Sequence, residues 1–111
     1  MPQTDAAEPA GDPFYIAVLR EALRDGALRK DDRLLVVCGG GKDEASLRAA
    51  GLTRFDTSNI SGELAVDVEN LPYPDATYDA VVVHSGLHHC ASPHRGLLEM
   101  HRVAKRCVIL F

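Results

Sequence analysis

Apolar positions in the first quarter of the chain recur at helical spacing. Asp12 followed by Pro13 is typical of a helix start, a side-chain cap and then a proline at the first helical position, and Gly26 suits the end. The apolar face of this predicted helix comprises Phe14, Tyr15, Val18, Leu19, Ala22 and Leu23. Residues 1–12 are rich in Pro, Ala and acidic residues and show no period, which predicts a disordered tail before a domain over residues 13–111.

The rest of the chain alternates short apolar runs with helical segments. The run at 34–38 is rich in Val and does not alternate with polar residues, which is typical of a strand buried on both faces of a parallel sheet. Further strands are predicted at 52–59, 64–68, 78–84 and 107–111. Helices are predicted from about Asp43 to Ala50 and from Ser92-Pro93 onward. The fold class is therefore α/β, a parallel sheet with flanking helices.

Composition narrows the functional class. The 111 residues suffice for one domain, and a formal charge of −4 argues against a nucleic-acid-binding protein. The three cysteines form no CxxC pair, so reduced thiols are expected. Since the sequence shows no leader and no apolar run long enough to span a bilayer, we expect a cytoplasmic protein with no membrane partner.

Three consecutive glycines, Gly39, Gly40 and Gly41, follow the first predicted strand. Such a turn lets a ligand approach the backbone, although a tight turn without a ligand would use the same residues. A dinucleotide site requires G-x-G-x-x-G, but the third glycine is absent and Asp43 and Glu44 would repel a pyrophosphate. S-adenosylmethionine carries no phosphate, so the turn favours this methyl donor over NAD.

Four linked motifs carry a family resemblance. D-V-E-N-L-P-Y-P-D at 67–75, continued by Y-D-A-V-V-V at 78–83, resembles the D-A-E-N-L-P-F-P-D…F-D-V-V signature of small-molecule class I S-adenosylmethionine-dependent methyltransferases. S-G-L-H-H at 85–89 resembles that family's segment after the strand, and L-L-E-M-H-R-V at 97–103 resembles its L-x-E-x-x-R-V helix. The resemblance covers about 33–111 and implies a Rossmann-like sheet of strand order 3-2-1-4-5.

The resemblance also implies a donor site. It places Gly39, Gly40 and Gly41 along the methionine part of S-adenosylmethionine. Asp67 is expected to bond the adenine amino group, with Val68 and Glu69 beside the ring.

Two further positions follow from the resemblance. Leu87 and His88 are expected near the sulfonium. The ribose hydroxyls have two candidate partners, Asp56 by its chemistry and Asn59 by its position about twenty residues beyond the first glycine.

The sequence departs from the family pattern in the glycine turn and at its end. In the family's D-x-G-x-G-x-G, the acid is replaced by Val36, the first glycine by Cys38 and the last by Lys42. The family's sheet has seven strands, whereas this chain ends at about the fifth, so the C-terminal strands of the family are expected to be missing.

Two alternatives to a complete methyltransferase remain open at this point. The altered glycine turn and the absent strands also suit a non-catalytic donor-binding or scaffolding fragment. The histidines between His84 and His101, with Cys90, have spacings that could serve a metal, although no second cluster completes a tetrahedral set and we assign no metal ligands. For a catalytic function toward a small-molecule acceptor, His88 or His89 is the candidate general base, with His88 preferred, and the alternative is that both only shape the pocket.

The last apolar run of the sequence is relevant to association between copies of the chain. Residues 107–111 contain no charge, proline or glycine that would discourage strand pairing. We therefore expect the chain to associate, either as a homodimer through this edge strand or through the apolar surface that the missing helices would cover. Glu99 and Arg102, three residues apart on the preceding helix, are expected to form only a surface pair.

Overall fold

The computed structural model describes residues 11–58, 68–84 and 92–111. Within these residues, one parallel sheet of order β2-β1-β3-β4 forms the centre of the molecule. Its strands are β1 at Leu34–Val37, β2 at Phe55–Thr57, β3 at Tyr78–Val83 and β4 at Ala104–Leu110. The parallel α/β class predicted from the alternation of elements is confirmed.

In the described part of the chain, three α-helices flank the sheet. They are α1 at Pro13–Asp25, α2 at Gly41–Ala49 and α3 at Pro93–Val103. The start of α1 follows the predicted chemistry, because the Asp12 side chain accepts hydrogen bonds from the backbone N–H groups of Phe14 and Tyr15. Its end is also as predicted, with Gly26 in the left-handed region at φ 86°.

The central strands β1 and β3 bury side chains on both faces, which explains their continuous apolar pattern. One face packs with α1 and α2 in a cluster that includes Tyr15, Leu19, Leu34, Val36, Leu47, Ala80 and Val82. The other packs with α3 in a cluster that includes Leu35, Val37, Val68, Leu71, Val81, Val83, Met100 and Val103. Successive strand residues thus belong to opposite layers, as a pleated strand requires.

The observed strands correspond to positions 2-1-4-5 of the predicted 3-2-1-4-5. Most of the segment predicted as the third strand, 64–67, lies outside the described residues. Its last residue was assigned wrongly, because Val68 begins a 3₁₀ helix, Val68–Asn70, rather than ending a strand. The final strand is longer than predicted, beginning at Ala104 instead of Cys107.

Two further expectations concern the start of the chain and membranes. Residues 1–10 of the predicted tail lie outside the described residues, while the Asp12 backbone N–H donates to Ser46 Oγ at 2.9 Å and so ties the chain to α2. In the part of the chain that the structure describes, no helix has the length and apolar character needed to cross a bilayer.

Candidate functional site

The glycine turn lies at the carboxyl end of β1 and leads directly into α2. From β1 the chain passes through α2 to β2 on one side, whereas β3 pairs with β1 on the other side. The carboxyl edge between β1 and β3 is therefore a topological switch point, where loops diverge and leave a crevice. Open α/β sheets place their ligands at such a point.

The residues of the glycine turn differ in whether their surroundings leave room for a side chain. A Cβ on Gly39 would lie 2.7 Å from Val36 Cγ1 and 3.2 Å from Thr57 Cγ2, so Gly39 is needed for close packing beneath the turn. Among the residues that the structure describes, nothing lies within 4 Å of a Cβ added to Gly40, so this part of the chain leaves the space beside Gly40 open to a ligand. Cys38, which replaces the family's first glycine, has φ 55°, in the left-handed region that favours glycine.

Ser58 holds the turn from the end of β2. Its backbone N–H donates to Val36 O at 2.9 Å, and its own carbonyl accepts from the Gly39 N–H at 3.0 Å. Its Oγ also accepts from the Cys38 N–H at 3.3 Å, and the residue is buried. Sequence reasoning missed Ser58, because only the parallel pairing of β1 with β2 brings it beside the turn.

Asp43, in the first turn of α2, closes the other side of the turn. Its Oδ2 accepts the Gly40 N–H at 2.9 Å. The carboxylate therefore caps one of the backbone donors that a helix start leaves unpaired. Glu44 adds a second acidic side chain to the same helical turn.

Asp56 is directed away from the glycine turn. Its Oδ2 accepts the Tyr78 hydroxyl at 2.9 Å and lies 3.4 Å from Arg33 Nη2. Tyr78 is the first residue of β3 and Arg33 precedes β1, so both partners lie at the amino ends of their strands. Burial, and then the hydrogen bond to Asp56, raise the pKa of Tyr78 above its usual value.

Val68 and Glu69 begin the segment that packs between the sheet and α3. The Val68 side chain is buried in the cluster on the α3 face of the sheet. Glu69 Oε2 accepts the Ser92 N–H at 3.0 Å, where Ser92 is the residue preceding α3. The structure thus connects these two residues to α3, and their backbone follows directly after Asp67.

Arg102 of α3 anchors the loop that continues from this segment. Its guanidinium donates to the carbonyl oxygens of Leu71 and Tyr73 at 2.9 and 2.8 Å and to Asp75 Oδ1 at 2.8 Å. It also donates from Nε and Nη2 to Glu99, whose Oε1 accepts the Leu71 N–H at 2.9 Å.

The predicted pairing of Glu99 with Arg102 is confirmed, and the pair also bonds the backbone of Leu71, which the prediction of a surface pair did not include. Through the loop bonds, the pair joins α3 to the segment that follows residues 67–69. The spacing in sequence showed the pair, whereas its backbone partners are contributed by residues about thirty positions earlier.

An aromatic cluster lies beside the carboxyl ends of β3 and β4. Tyr15 of α1 stacks on His84 with ring centroids 5.1 Å apart, and Phe111 contacts both rings at 4.4 and 5.3 Å. Phe14 meets Phe111 edge to face at 6.3 Å and is 68% exposed. An apolar, partly exposed surface therefore borders the crevice.

Four of the predicted site residues lie outside the described residues. They are Asn59, Asp67, Leu87 and His88. His89 and Cys90 of the metal alternative lie there as well. Among residues 11–58, 68–84 and 92–111, no group of three or more His, Cys, Asp or Glu side chains is placed to hold a metal ion.

Comparison with known proteins identifies a matching family and several relatives. The methyltransferase domain family matches residues 34–111, which is more than half of the chain. Curated relatives include the ubiquinone/menaquinone biosynthesis C-methyltransferases UbiE of Burkholderia mallei strain SAVP1 and Burkholderia thailandensis, each 36% identical over 63 residues. These matches cover 57% of this chain and 26% of each relative, so the chain spans about a quarter of their length.

Solved structures share the fold. An S-adenosylmethionine-dependent methyltransferase from Aquifex aeolicus superposes with a TM-score of 0.60 at 19% identity, covering 85% of this chain and 63% of that one. The cyclase SpnF superposes with a TM-score of 0.53 at 26% identity, covering 81% and 41% of the two chains. The fold of this chain is thus that of a known architecture.

Proposed function

Because the chain belongs to the methyltransferase domain family, we propose that it binds S-adenosylmethionine at the carboxyl edge of the sheet and transfers the methyl group to a small molecule. The observation that carries the proposal is the glycine turn at the switch point between β1 and β3. Hydrogen bonds to Ser58 and Asp43 hold the backbone of this turn. Beside Gly40 the described residues leave open space, into which a Cβ at position 40 would project. Such a cradle suits the methionine part of the donor.

The residues that hold the donor are assigned as follows. Gly39, Gly40 and Gly41 line the methionine part. Asp67 accepts a hydrogen bond from the adenine amino group, and the adjoining Val68 and Glu69 support the ring, with their position maintained by α3.

For the ribose, we favour Asn59 over Asp56. The Asp56 carboxylate already accepts from Tyr78 and faces Arg33, at the amino ends of the strands. Asn59 directly follows Ser58, which contacts the glycine turn. An amide side chain can both donate to and accept from a ribose hydroxyl.

Residues after β3 act on the acceptor. When bound, S-adenosylmethionine supplies a methyl group activated by a sulfonium that leaves as a neutral thioether. Leu87 borders the sulfonium, and His88 removes the proton that the acceptor loses as it gains the methyl group. Positioning by a rigid cleft supplies a further part of the rate.

The acceptor we propose is small and at least partly apolar. The exposed face of Phe14 and the neighbouring Phe111 border the crevice and suit an apolar ring. The names of the Burkholderia relatives point to quinone biosynthesis, which is consistent with such an acceptor. A cytoplasmic location, a homodimer through β4 and the absence of nucleic-acid or membrane partners belong to the same proposal.

A second function, donor binding without methyl transfer, is favoured by one observation. Cys38 takes a left-handed conformation that the family's glycine adopts without strain, so the turn departs from the family pattern in chemistry as well as in sequence. A protein of this kind would bind the donor but methylate no acceptor. Donor titration combined with a small-molecule methylation screen separates the two functions.

Substitution of Asp67 tests the proposed donor site. A carboxylate that accepts a hydrogen bond from the adenine amine contributes about 1–3 kcal/mol, so Asp67→Ala should weaken S-adenosylmethionine binding about 5- to 150-fold in isothermal titration. Asp75→Ala removes the same charge from the exposed loop and should change the affinity much less. Equal losses in the two variants would refute the assignment, and binding abolished by a chelator would point to a metal site instead.

A further inference from the structure

One buried serine bonds both of the peptide units that flank Cys38. Ser58 Oγ accepts the Cys38 N–H at 3.3 Å, and Ser58 O accepts the Gly39 N–H at 3.0 Å. The serine follows Thr57, the last residue of β2, and its own N–H donates to Val36 O at 2.9 Å. Since Ser58 is 1% exposed and follows the paired part of β2, the pairing of β1 with β2 determines where its hydroxyl lies.

These two bonds determine the backbone conformation of Cys38. The angles φ and ψ of a residue describe how its two flanking planar peptide units are turned relative to each other, and here both units are bonded to Ser58. Cys38 has φ 55°, in a region that is unfavourable for a residue with a Cβ and that persists only where surrounding contacts impose it. Its side chain also packs against the apolar cluster on the α3 face of the sheet. A glycine, which the family has at this position, adopts the left-handed region without such contacts.

The conformation of Cys38 sets where the rest of the glycine turn lies. Residue 38 is the point at which the chain leaves β1, so a rotation there displaces Gly39 and Gly40 relative to β3. At its other end the turn is fixed by the bond from the Gly40 N–H to Asp43 Oδ2 at 2.9 Å. A ligand that requires one conformation of the turn binds more weakly as the fraction of molecules in that conformation falls.

We propose that Ser58 is a positioning residue for donor binding, whose hydroxyl holds Cys38 in the left-handed conformation that the family's glycine adopts unaided. The inference rests on the proposed donor binding and deepens it. Ser58 acts through the backbone of the turn and needs no contact with the donor. The hydroxyl therefore matters for binding because residue 38 is a cysteine, and a glycine at position 38 makes the hydroxyl dispensable.

A double-mutant cycle tests this dependence. Isothermal titration with S-adenosylmethionine would compare the wild type, Ser58→Ala, Cys38→Gly and the double variant. Because a buried hydrogen bond is lost, Ser58→Ala should bind the donor about 3- to 10-fold more weakly than the wild type. In the Cys38→Gly background, the same substitution should change the affinity by about twofold or less.

A second ligand shows whether the effect is confined to the glycine turn. 5′-Methylthioadenosine lacks the methionine part of the donor, which the turn is proposed to line. Its affinity should therefore be the same for Ser58→Ala and the wild type. Equal weakening of the two ligands would overturn the inference, because it would assign Ser58 to the stability of the sheet alone.

Ser46→Ala is the matched control, because Ser46 is also buried and its Oγ also accepts a backbone N–H, that of Asp12. Its effect on donor affinity should be the same with cysteine or glycine at position 38. If Ser58→Ala weakened donor binding equally in both backgrounds, or in neither, the inference would be wrong.

Two further outcomes are informative. If Ser58→Ala failed to fold, the double variant should still fold and bind S-adenosylmethionine, and a double variant that also failed to fold would contradict the inference. If the wild type bound no S-adenosylmethionine, the proposed function itself would fail. Donor binding by the wild type without coupling between positions 38 and 58 would instead overturn this inference alone.

Discussion

At the scale of single residues, adjacent positions of the glycine turn have different structural roles. Gly39 is required because Val36 and Thr57 leave no room for a side chain. Gly40 is extended, with φ −147°, a conformation that any residue adopts, so its small size matters only toward the open side. Within the turn, Cys38 is the non-glycine residue that carries backbone strain, at φ 55°. Cys38, Gly39 and Gly40 therefore need different experiments.

Substitution of Cys38 tests the strain. Both Cys38→Gly and Cys38→Ala remove the thiol, but only glycine adopts φ 55° freely. We expect the glycine variant to be more stable than the alanine variant by about 1 kcal/mol, after the greater flexibility of unfolded glycine is included. Urea unfolding of the two variants measures the difference. Higher stability of the alanine variant would mean that the turn relaxes away from the left-handed conformation.

The pair Gly39→Ala and Gly40→Ala separates packing from ligand access. The first variant forces a methyl group against Val36 Cγ1 and should lose about 1–3 kcal/mol of stability. The second meets no atom of the described residues, so it should cost about 0.5 kcal/mol as a poorer helix cap. Its main effect should be weaker binding of S-adenosylmethionine in isothermal titration. Unchanged donor affinity in Gly40→Ala would place the donor away from this turn.

At the scale of elements, α3 fixes the segment that follows the predicted adenine site. Ser92 at its start is bound by Glu69, and Arg102 near its end is bound to the carbonyls of Leu71 and Tyr73. The helix thus holds the segment at both ends. A family motif that looked like a helix surface in the sequence is a structural support for the segment that follows the proposed donor site.

This support predicts a dependence of stability on acid. The hydrogen bonds from Arg102, followed by the one from the Leu71 N–H, hold the pKa of Glu99 below its usual value. A carboxyl group with a lower pKa in the folded state contributes stability that is full above its unfolded pKa of about 4.3. That contribution is lost as the pH falls through the lower folded pKa.

Glu99→Gln should therefore cost about 1–2 kcal/mol at neutral pH, with a smaller loss of stability between neutral and strongly acidic pH than the wild type shows. Thermal unfolding across that range measures both effects. Glu21→Gln on α1 is the control, because its pair with Arg24 is exposed on both sides and is worth little. Identical pH profiles for Glu99→Gln and wild type would contradict the proposed support.

At the scale of the whole molecule, helices cover both faces of the sheet, whereas its edges differ from the faces in what covers them. Among the described residues, β4 pairs only with β3, and its other edge presents backbone donors and acceptors. Leu110 near its end is 48% exposed, while Ile109 packs against the cluster shared with α1 and α2. An open, largely apolar strand edge favours pairing with a second chain.

The 111-residue chain should therefore associate as its concentration rises, which light scattering would show. Leu110→Lys adds a charge at the exposed side of the edge and should reduce the association. Leu98→Lys, at a still more exposed position on α3, should leave it unchanged. If the wild type stayed monomeric at high concentration, or if both lysine variants behaved alike, β4 would not be the contact.

The sequence alone determined the elements whose causes are local. The cap at Asp12, the glycine after α1 and the unalternating Val-rich strands predicted α1, β1 and β3 closely, because capping and burial on two faces leave direct patterns in the chain. The linked motifs identified the family in the same way. The boundaries of β4 and the 3₁₀ helix at Val68 were less well predicted, since strand pairing and packing against α3 set them.

Only the tertiary structure decided which side chains meet. Asp56 has the chemistry for a ribose, yet its partners Tyr78 and Arg33 come from other strands and draw it to the amino edge. Ser58 holds the glycine turn through parallel pairing across 20 residues. Each of these contacts joins elements that are distant in sequence. No local sequence pattern encodes where a distant backbone oxygen or hydroxyl will lie.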